Sequence, residues 1–269
     1  MATAAAPDWP LETLRAQLAA LLPGCRVEHR AEIDSTSSEL MRRARAGEDA
    51  PVLLVAERQT AGRGRMGRTW DSALAAGEPA SLTFSLGLPL APRDWSGLSL
   101  AVGLALAESL DPHGRAGLAL KWPNDLWLGG RKLGGILIET AGTGQPGARQ
   151  VVIGVGLNIE PRPGDGLRTA PASLREWQPQ ASPASALLQI AAPLLGAVLR
   201  FADTGFAPLA ARFAARDALR GREVQLSDGR SGRCAGVGPG GELLVHTGQA
   251  MEAITSSEVS VRPRAADPD

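Results

Sequence analysis

Cysteine, histidine and aromatic residues are scarce in this sequence of 269 residues, which has two cysteines, three histidines, four phenylalanines and no tyrosine. Cys25 and Cys234 match no metal-binding or redox spacing. With no sign of an oxidising compartment, we predict no structural disulfide between them. His29, His113 and His246 are scattered, and none has the serine or cysteine arrangement that nucleophilic catalysis requires. We therefore assign the histidines no role.

The sequence also has no excess of charge of either sign. Lys and Arg total 28, as do Asp and Glu, so the formal net charge at pH 7 is zero. A neutral chain has no overall field to attract nucleic acid or an anionic membrane. Any site for an anion must therefore come from local clustering of arginine and lysine.

Long apolar runs are missing as well. Residues 1–10 contain no basic residue followed by an apolar run, and the stretch Leu11–Leu22 is interrupted by Glu12 and Arg15, so no secretory signal is predicted. No run approaches the roughly 20 apolar residues of a membrane span. With 44% apolar and 21% charged residues, the composition is that of a globular protein with a sizeable core. We expect a soluble, cytoplasmic protein.

Periodicity divides the chain into two parts of different texture. In the first part, apolar residues at helical spacing alternate with short apolar runs of strand length. This predicts helices at 11–22, 34–47, 96–110, 184–202 and 206–219, and strands at 51–57, 81–88, 118–122, 126–128, 132–140 and 150–159. From Arg222 onward, five short β-type runs are separated by Asp-Gly, Pro-Gly-Gly and Thr-Gly. That spacing predicts a small appended β-barrel.

Glycines and arginines alternate in the segment QTAGRGRMGRTW, residues 59–70. It contains Arg63, Arg65 and Arg68 and no acidic residue. Glycine lets the backbone approach a ligand closely, and guanidinium groups bind phosphate in a bidentate manner, so the segment is suited to an anion. It lacks the Walker and dinucleotide-binding spacings. From these residues alone, a solvated basic turn or an RGG-like contact with RNA is an open alternative.

A second group of polar residues occupies the segment KWPNDLWLGGRK, residues 121–132. Asp125 lies in a turn beside a strand end, where a carboxylate can bind Mg²⁺ or a ribose hydroxyl. Lys132 follows a hairpin predicted at Gly129-Gly130, where its ammonium can stabilise charge on a reacting carboxylate or phosphate. Judged singly, each of these polar residues is also explained as a turn former or a solvated charge.

Hydroxyl-bearing and small residues complete the candidate set. Ser35, Thr36 and Ser37 begin a predicted helix, with Thr36 and Glu39 at the spacing of a capping box. A helix N-terminus can also present hydroxyls to a ligand. In the strand VIGVGLN, residues 152–158, small residues permit a ligand to approach closely, although they equally permit packing against a helix.

Taken together and in order, these segments resemble those of the bacterial biotin protein ligases. The run consists of Ser35-Thr36-Ser37, QTAGRGRMGRTW (59–70), KWPNDLWL (121–128), RKLGGILIE (131–139) and VIGVGLN (152–158). The resemblance implies an α+β fold like that of class II aminoacyl-tRNA synthetases. In it, residues 1–220 form a catalytic domain with a mixed sheet and helices, 221–264 an SH3-like β-barrel, and 265–269 a tail.

The resemblance also implies a two-step reaction. The carboxylate of biotin attacks the α-phosphate of Mg·ATP, which gives biotinyl-5′-AMP and pyrophosphate. A lysine of a biotin carboxyl carrier protein, a subunit of acetyl-CoA carboxylase, then accepts the biotinyl group. ATP, biotin and Mg²⁺ are the small molecules that this reaction requires. A monomer and a homodimer are both compatible with the resemblance.

By position, the resemblance gives each candidate residue a role. Lys132, Arg65 and Asp125 would be catalytic. Asp125 would orient either Lys132 or the phosphates of Mg·ATP, and it would be the residue that binds Mg²⁺. The biotin site would comprise Ser35, Thr36, Ser37, Gln59, Gly62, Arg63, Gly64, Arg65, Lys132, Gly135, Gly154 and Gly156. The ATP site would comprise Arg63, Arg65, Arg68, Trp70, Lys121, Asn124, Asp125, Lys132 and Asn158.

The sequence departs from the family near its N-terminus and in its C-terminal segment. Only 34 residues precede Ser35, too few for the helix-turn-helix domain with which some members repress transcription, so we predict a ligase that does not bind DNA. The sequence GVGPGG at 236–241 stands where members often have a Gly-Ile-Asp-x-x-Gly turn.

Two other functions stay open. One is a lipoate-type acyl-adenylate ligase, which shares the strategy but lacks the Gly-Arg loop pattern. The other is a non-enzymatic nucleic-acid-binding module, which zero net charge and the shortage of aromatic residues for stacking disfavour.

Overall fold

A computed structural model describes the chain at residues 9–71, 80–143, 147–164, 169–248, 250–255 and 261–263. The predicted tail at 265–269 lies outside these residues. The described helices are α1 (Leu11–Leu21), α2 (Thr36–Arg45), α3 (Leu98–Leu110), α4 (Pro183–Thr204) and α5 (Ala210–Ala214). The described strands are β1 (Arg26–Ile33), β2 (Val52–Gln59), β3 (Ser81–Leu90), β4 (Ala119–Lys121), β5 (Asp125–Leu128), β6 (Arg131–Gly142), β7 (Arg149–Asn158), β8 (Glu223–Leu226), β9 (Ser231–Val237), β10 (Leu243–His246), β11 (Met251–Ile254) and β12 (Val261–Pro263).

Seven strands form one mixed sheet in the order β1-β2-β3-β7-β6-β5-β4. β1 and β2 are parallel and the other neighbouring pairs are antiparallel, so the predicted α+β class with a mixed sheet is confirmed. The predicted hairpin at Gly129-Gly130 joins β5 to β6, and both glycines have positive φ. Across these strands Asp125 pairs with Lys121 on one side and with Gly135 on the other. The register thus gathers the polar residues of this segment.

Helices cover both faces of the sheet, which explains why its central strands β3 and β7 are almost completely buried. α3 and α4 pack on one face and α2 packs on the other, against β2, β3, β6 and β7. Alternate residues of β2 therefore enter two different cores. Leu53 and Val55 belong to the large core, whereas Val52 and Leu54 belong to a small core with Leu40 of α2. This is the period-two pattern of a strand buried on both sides.

α4 is the longest described helix, with 22 residues, and Pro183 occupies its first turn. By length and composition it is apolar enough to cross a membrane, but 56% of its most apolar 18-residue stretch is buried inside the protein. It packs against α1, α3 and β3. Ser185 and Gln189 interrupt its apolar sequence, so it contains no long continuous apolar run. Its burial makes it the central core helix of its face of the sheet.

Two predictions about helices were wrong in detail. The N-cap of α2 is Ser35 rather than Thr36, because the backbone N–H of Ser38 donates to Ser35 Oγ at 3.3 Å. The helix predicted at 206–219 consists only of a 3₁₀ turn at Ala207–Leu209 followed by α5. The chain then leaves the helix to pair with the edge strand β4, where Leu120 N donates to Arg216 O at 2.7 Å.

The last five strands form a separate antiparallel sheet in the order β11-β10-β9-β8-β12. This sheet was predicted to be a closed barrel. Among the described residues, its edge strands β11 and β12 do not pair with each other. It adjoins the main sheet at the segment KWPND, where Trp122 Nε1 donates to the carbonyl of Gly241 at 3.0 Å. A boundary at 220/221 between two domains stays a prediction. Cys25 and Cys234 are both buried and free in the structure.

Candidate active site

The segments singled out in the sequence converge on one cleft. It lies between α2, the central strands and the glycine- and arginine-rich segment at 59–70, which we call the Gly-Arg loop. Its volume is about 870 Å³, counting the part open to solvent. Sixteen of the eighteen residues assigned from the resemblance line it, and Gly62 and Asn158 do not. The cleft has two chemically different ends, which we call the hydroxyl end and the cationic end.

The hydroxyl end is formed by the first turn of α2 and by β3. Thr36 Oγ1 and Ser37 Oγ lie 2.8 and 3.0 Å from Ser85 Oγ, and the exposed fractions of these three residues are 2%, 6% and 0%. Gln59 Oε1 accepts hydrogen bonds from the backbone N–H and the hydroxyl of Thr36, at 2.8 and 3.2 Å. Hydroxyls both donate and accept, so this end can bind a neutral ligand group that has N–H donors and a carbonyl.

Glycines in β7 create the space for this arrangement. A Cβ on Gly154 would lie 2.3 Å from Ser37 Oγ, and one on Gly156 would lie 2.4 Å from Cε2 of Trp70. Only residues without a side chain allow α2 and the indole ring to approach the strand so closely. Both readings of these small residues therefore apply, because they pack against α2 and they also line the cleft.

The cationic end is centred on an ion pair between Lys132 and Asp125. Lys132 Nζ lies 2.8 Å from Asp125 Oδ1. Gly135 adjoins the pair, since a Cβ there would be 3.3 Å from Nζ of the lysine. The hairpin thus presents an ammonium group that a carboxylate of the neighbouring strand holds in one orientation.

Five basic side chains and one carboxylate are found among the described residues that line the cleft, namely Arg63, Arg65, Arg68, Lys121, Lys132 and Asp125. The cleft therefore has the local cluster of arginine and lysine that an anion site needs in a chain without net charge. Burial lowers the pKa of Lys121; Asp125 opposes this shift and the charges of Lys132, Arg68 and Arg262 add to it. Crowded, partly buried cations of this kind gain by binding a multiply charged anion.

Arg65 reaches from the loop to the KWPND segment. Its Nη1 donates to Asn124 Oδ1 at 3.2 Å. Burial lowers the pKa of Arg65, with Asp125 raising it and Arg68 lowering it, although a guanidinium stays charged in proteins. Asn124 is itself fixed, because its Nδ2 donates to the carbonyl of Ile136 at 2.9 Å. The turn residues of KWPND thus support an arginine of the loop and are more than turn formers.

The Gly-Arg loop is an ordered turn whose ends pair with each other. Gly64 N donates to Arg68 O at 2.7 Å, and Trp70 N donates to Gly62 O at 2.9 Å. Met66, at the tip, has a φ of +57° and is 57% exposed. The close pairing explains why Gly62 lies behind the cleft, since a Cβ there would be 2.2 Å from the carbonyl oxygen of Trp70.

Asn158 also lies behind the cleft, although the resemblance placed it in the ATP site. It is 4% exposed, and its Nδ2 donates to the carbonyls of Lys132 and Ala172 at 3.2 and 3.0 Å. Ala170 and Ala172 pair with the backbone of Lys132 and so cover this end of β7. In this structure the amide of Asn158 supports the backbone of Lys132.

Some residues of the site were missed in the sequence. Ser85 joins the hydroxyl cluster, Thr83 lines the cleft, and Val261 reaches it from the second sheet. The signal for the first two was available, because Ser81, Thr83 and Ser85 are polar at every second position of an apolar strand and therefore share one face. No local pattern pointed to Val261, which depends on how the second sheet is placed.

Comparisons with known proteins agree with the geometry. A family profile described as "Biotin/lipoate A/B protein ligase family" matches residues 32–158. The biotin--[acetyl-CoA-carboxylase] ligase of Paracoccus denitrificans is 33% identical over 245 residues, covering 85% of this chain and 98% of that protein. The enzyme of the same name from Mycobacterium tuberculosis is 43% identical over 165 residues, 58% of each chain.

A solved structure gives the same result. The biotin protein ligase from Aquifex aeolicus in complex with biotin and ATP superposes with a TM-score of 0.74 at 26% identity, over 88% of this chain and 99% of that one. Fold, site and sequence identity over most of both chains point to one family. This chain belongs to the biotin protein ligase family.

Proposed function

We propose that this enzyme uses ATP to activate biotin as biotinyl-5′-AMP and then transfers the biotinyl group to a lysine of a carrier protein. The observation that carries the proposal is that the hydroxyl end and the cationic end lie in one cleft. Biotin has a neutral ureido ring, with N–H donors and a carbonyl, at one end and a carboxylate at the other. ATP adds phosphates beside that carboxylate.

The hydroxyl end would bind the ureido ring. Thr36, Ser37 and Ser85 form a buried cluster that can both donate and accept hydrogen bonds. The apolar side chains of Leu137 and Val155, which line the cleft, would contact the hydrocarbon chain of biotin. The carboxylate would then lie near Lys132.

The cationic end would bring the two reacting groups together. A carboxylate oxygen of biotin forms a bond to the α-phosphorus while the bond from that phosphorus to the bridging oxygen breaks, and pyrophosphate leaves. Lys132 and Arg65 would stabilise the negative charge of the reacting oxygens, and Arg68 would bind the phosphates. Catalysis of this kind is positioning plus electrostatic stabilisation, so no side chain needs to act as a covalent nucleophile.

In the second step, the neutral amine of the acceptor lysine attacks the carbonyl carbon of the mixed anhydride. An amide bond forms, AMP leaves with the electron pair of the broken C–O bond, and the nitrogen loses a proton. Trp70, which packs on Gly156, would contact the adenine ring, as indole rings suit flat heterocycles.

Mg²⁺ would arrive with ATP, because the described residues do not fit a resident metal site. Asp125 is the one carboxylate among the described lining residues, and its two oxygens lie 2.8 and 3.9 Å from the ammonium groups of Lys132 and Lys121. No cluster of three His, Cys, Asp or Glu side chains occurs in the parts of the chain that the structure describes. We propose that Asp125 holds Lys132 in place.

This role of Asp125 can be separated from metal binding. In Asp125→Asn, the loss of the ion pair should slow adenylate formation about 10-fold to 100-fold, the usual scale of a charge-assisted hydrogen bond, without changing the Mg²⁺ concentration for half-maximal rate. The measurement is pyrophosphate release against Mg²⁺ concentration at saturating ATP. If the half-maximal Mg²⁺ concentration rises instead, Asp125 is a ligand of the metal.

We further infer that the acceptor is a biotin carboxyl carrier protein of an acetyl-CoA carboxylase and that the enzyme works in the cytoplasm. The names of the relatives from Paracoccus denitrificans and Mycobacterium tuberculosis support this acceptor. Both a monomer and a homodimer are consistent with the proposal.

One assay tests reaction and substrate together. The enzyme is mixed with Mg·ATP and an unmodified carrier domain, with biotin in one tube and lipoate in another, and the carrier is weighed by mass spectrometry. A mass gain of one biotinyl group that requires ATP is expected. A gain with lipoate alone would replace biotin by lipoate as the substrate. If neither tube gives a gain or releases pyrophosphate, the proposed reaction is wrong.

A further inference from the structure

We infer that Glu139 is a positioning residue that holds the Gly-Arg loop closed over the hydroxyl end of the cleft and thereby limits escape of the bound adenylate. Glu139 was not assigned a role from the sequence. The inference rests on the proposed function, because it concerns how long the activated acid stays in that site.

The position of Glu139 on β6 places it at the far end of the cleft. Side chains of a strand alternate between its two faces, so Glu139 shares a face with Gly135 and Leu137, which line the cleft. Gly135 adjoins Lys132. Glu139 is four positions further along the strand than Gly135, a distance of about 13 Å. Glu139 therefore lies at the opposite end from the ion pair that would face the reacting carboxylate.

The contacts of Arg63 connect three parts of the molecule. Its Nη2 lies 2.6 Å from Glu139 Oε1 on β6, and its Nη1 donates to Ser38 Oγ on α2 at 3.3 Å. Ser38 in turn donates its backbone N–H to Ser35 Oγ, which caps the helix. The guanidinium of Arg63 thus connects the Gly-Arg loop to both β6 and α2, next to the buried hydroxyls.

Burial makes Glu139 the fixed partner of this pair. The exposed fraction of its side chain is 21%, against 45% for Arg63. Its Oε2 is buried and has no hydrogen-bond partner within the described part of the chain. Arg63 is the one cation paired with Glu139 among the described residues, and a half-buried carboxylate is disfavoured without a paired cation, so opening the loop at Arg63 leaves an uncompensated charge. That cost favours the closed loop.

Closure at Arg63 also holds the residues further along the loop. Arg63 pairs with Thr69 in a β-bridge, and Gly64 N bonds to Arg68 O, so these contacts join the two arms of the loop into one unit. Arg65 and Trp70, which would contact the adenylate, lie on the same unit. Releasing Arg63 should therefore loosen the whole cover and speed dissociation of biotinyl-5′-AMP, while the groups around Lys132 keep their positions.

The test is the dissociation rate of adenylate formed on the enzyme. Labelled biotinyl-5′-AMP is made in the cleft without acceptor and chased with excess unlabelled biotin and ATP, and pyrophosphate release is measured in parallel. In Glu139→Gln, which keeps the shape but removes the charge, dissociation should be about 10-fold faster, the scale of a charge-assisted hydrogen bond. The maximal rate of pyrophosphate release should change by less than about 2-fold, since that side chain does not reach the reacting groups.

Arg63→Gln tests the same pair from the exposed side, where the substitution is less disruptive to folding. If the two side chains act through each other, the double variant should release adenylate no faster than the faster single variant. Glu32→Gln is the matched control, because Glu32 pairs with Arg58 at 2.5 Å on the exposed edge strand, away from the cleft. It should release adenylate at the wild-type rate.

The outcomes separate the inference from the proposed function. If the wild type forms adenylate and Glu139→Gln retains it equally well, the inference alone is wrong. The same conclusion follows if the two substitutions have additive effects, or if Glu139→Gln lowers the rate of pyrophosphate release without faster dissociation. A wild-type enzyme that forms no adenylate from biotin overturns the proposed function, and the inference with it.

Discussion

At the hydroxyl end of the cleft, Thr36, Ser37 and Ser85 are nearly completely buried and bond to one another. At the cationic end, Lys132 and Arg65 come from a hairpin and a loop, and their partners are the polar side chains of Asp125 and Asn124. The first end is part of a helix and a central strand. The second is assembled from the first residues of β5 and β6, the turn before β5 and the Gly-Arg loop.

This difference follows from what each end has to recognise. A neutral ring gains little from charge, and donors and acceptors fixed in regular structure can match it with little loss of entropy on binding. Phosphates and a developing charge gain most from fixed cations. We therefore expect substitutions at the hydroxyl end to change KM for biotin, and substitutions at the cationic end to change the rate of adenylate formation.

Lys132→Ala should have the largest effect. Removing a group that stabilises the developing charge should lower the maximal rate of adenylate formation about 10²-fold to 10³-fold, with little change in KM for biotin. Pyrophosphate release at saturating substrates measures it. Arg131→Ala is the matched control, since the neighbouring Arg131 pairs with the exposed Glu176 and should leave the rate unchanged. Wild-type rates in Lys132→Ala would remove this lysine from the mechanism.

Arg65→Ala should have the next largest effect. The loss of one charge-assisted contact should weaken retention of the adenylate about 10-fold to 100-fold, so that biotinyl-5′-AMP escapes into solution. Free adenylate after filtration of the enzyme measures the escape. Arg58→Ala, which removes an exposed arginine of a surface ion pair, should behave as wild type. If Arg65→Ala retains the adenylate fully, the loop does not form an anion site.

Ser85→Ala tests the hydroxyl end. It removes the hydroxyl that contacts both Thr36 and Ser37, so KM for biotin should rise about 5-fold to 30-fold, the scale of a buried hydrogen bond, while the maximal rate stays the same. Ser81→Ala is the matched control on the same strand, because Ser81 Oγ is buried without a partner in the described chain. An equal effect of both substitutions would show that strand packing, not the hydroxyl cluster, is responsible.

Trp122→Phe should have the smallest effect and should affect only stability. It removes the hydrogen bond from Trp122 Nε1 to Gly241 O and should lower the free energy of unfolding by about 1 kcal/mol, measured by denaturant titration. Trp127→Phe is the control, because Trp127 Nε1 has no partner among the described residues and no hydrogen bond is lost. A slower maximal rate in Trp122→Phe would mean that the second sheet contributes to the cationic end.

Local patterns predicted the elements better than the contacts between them. The hairpin at Gly129-Gly130 was predicted correctly, because two glycines between apolar runs favour one turn geometry. The helix at 206–219 was overextended, because nothing local indicated that Asp217 pairs with Leu120 of an edge strand. Ser85 was missed although its period-two spacing was visible, since buried serines in an apolar strand are equally compatible with packing alone.

The sequence by itself determined which chemical groups the site has: hydroxyls at a helix start, a cluster of arginines in a chain without net charge, and glycines where the backbone must be approached closely. Their order along the chain also identified the family that the comparisons confirmed. These properties are local, because they depend on residue type and on spacings of a few residues.

Only the tertiary structure decided which of these groups meet. Arg63 and Glu139 are 76 residues apart in sequence, and their contact depends on the strand order β3-β7-β6 and on its register. Asn158 shares the strand-face pattern of Gly154 and Gly156, yet the segment around Ala172 covers it and directs its amide to the backbone of Lys132. Pairings between distant residues depend on strand register and packing, which no local pattern specifies.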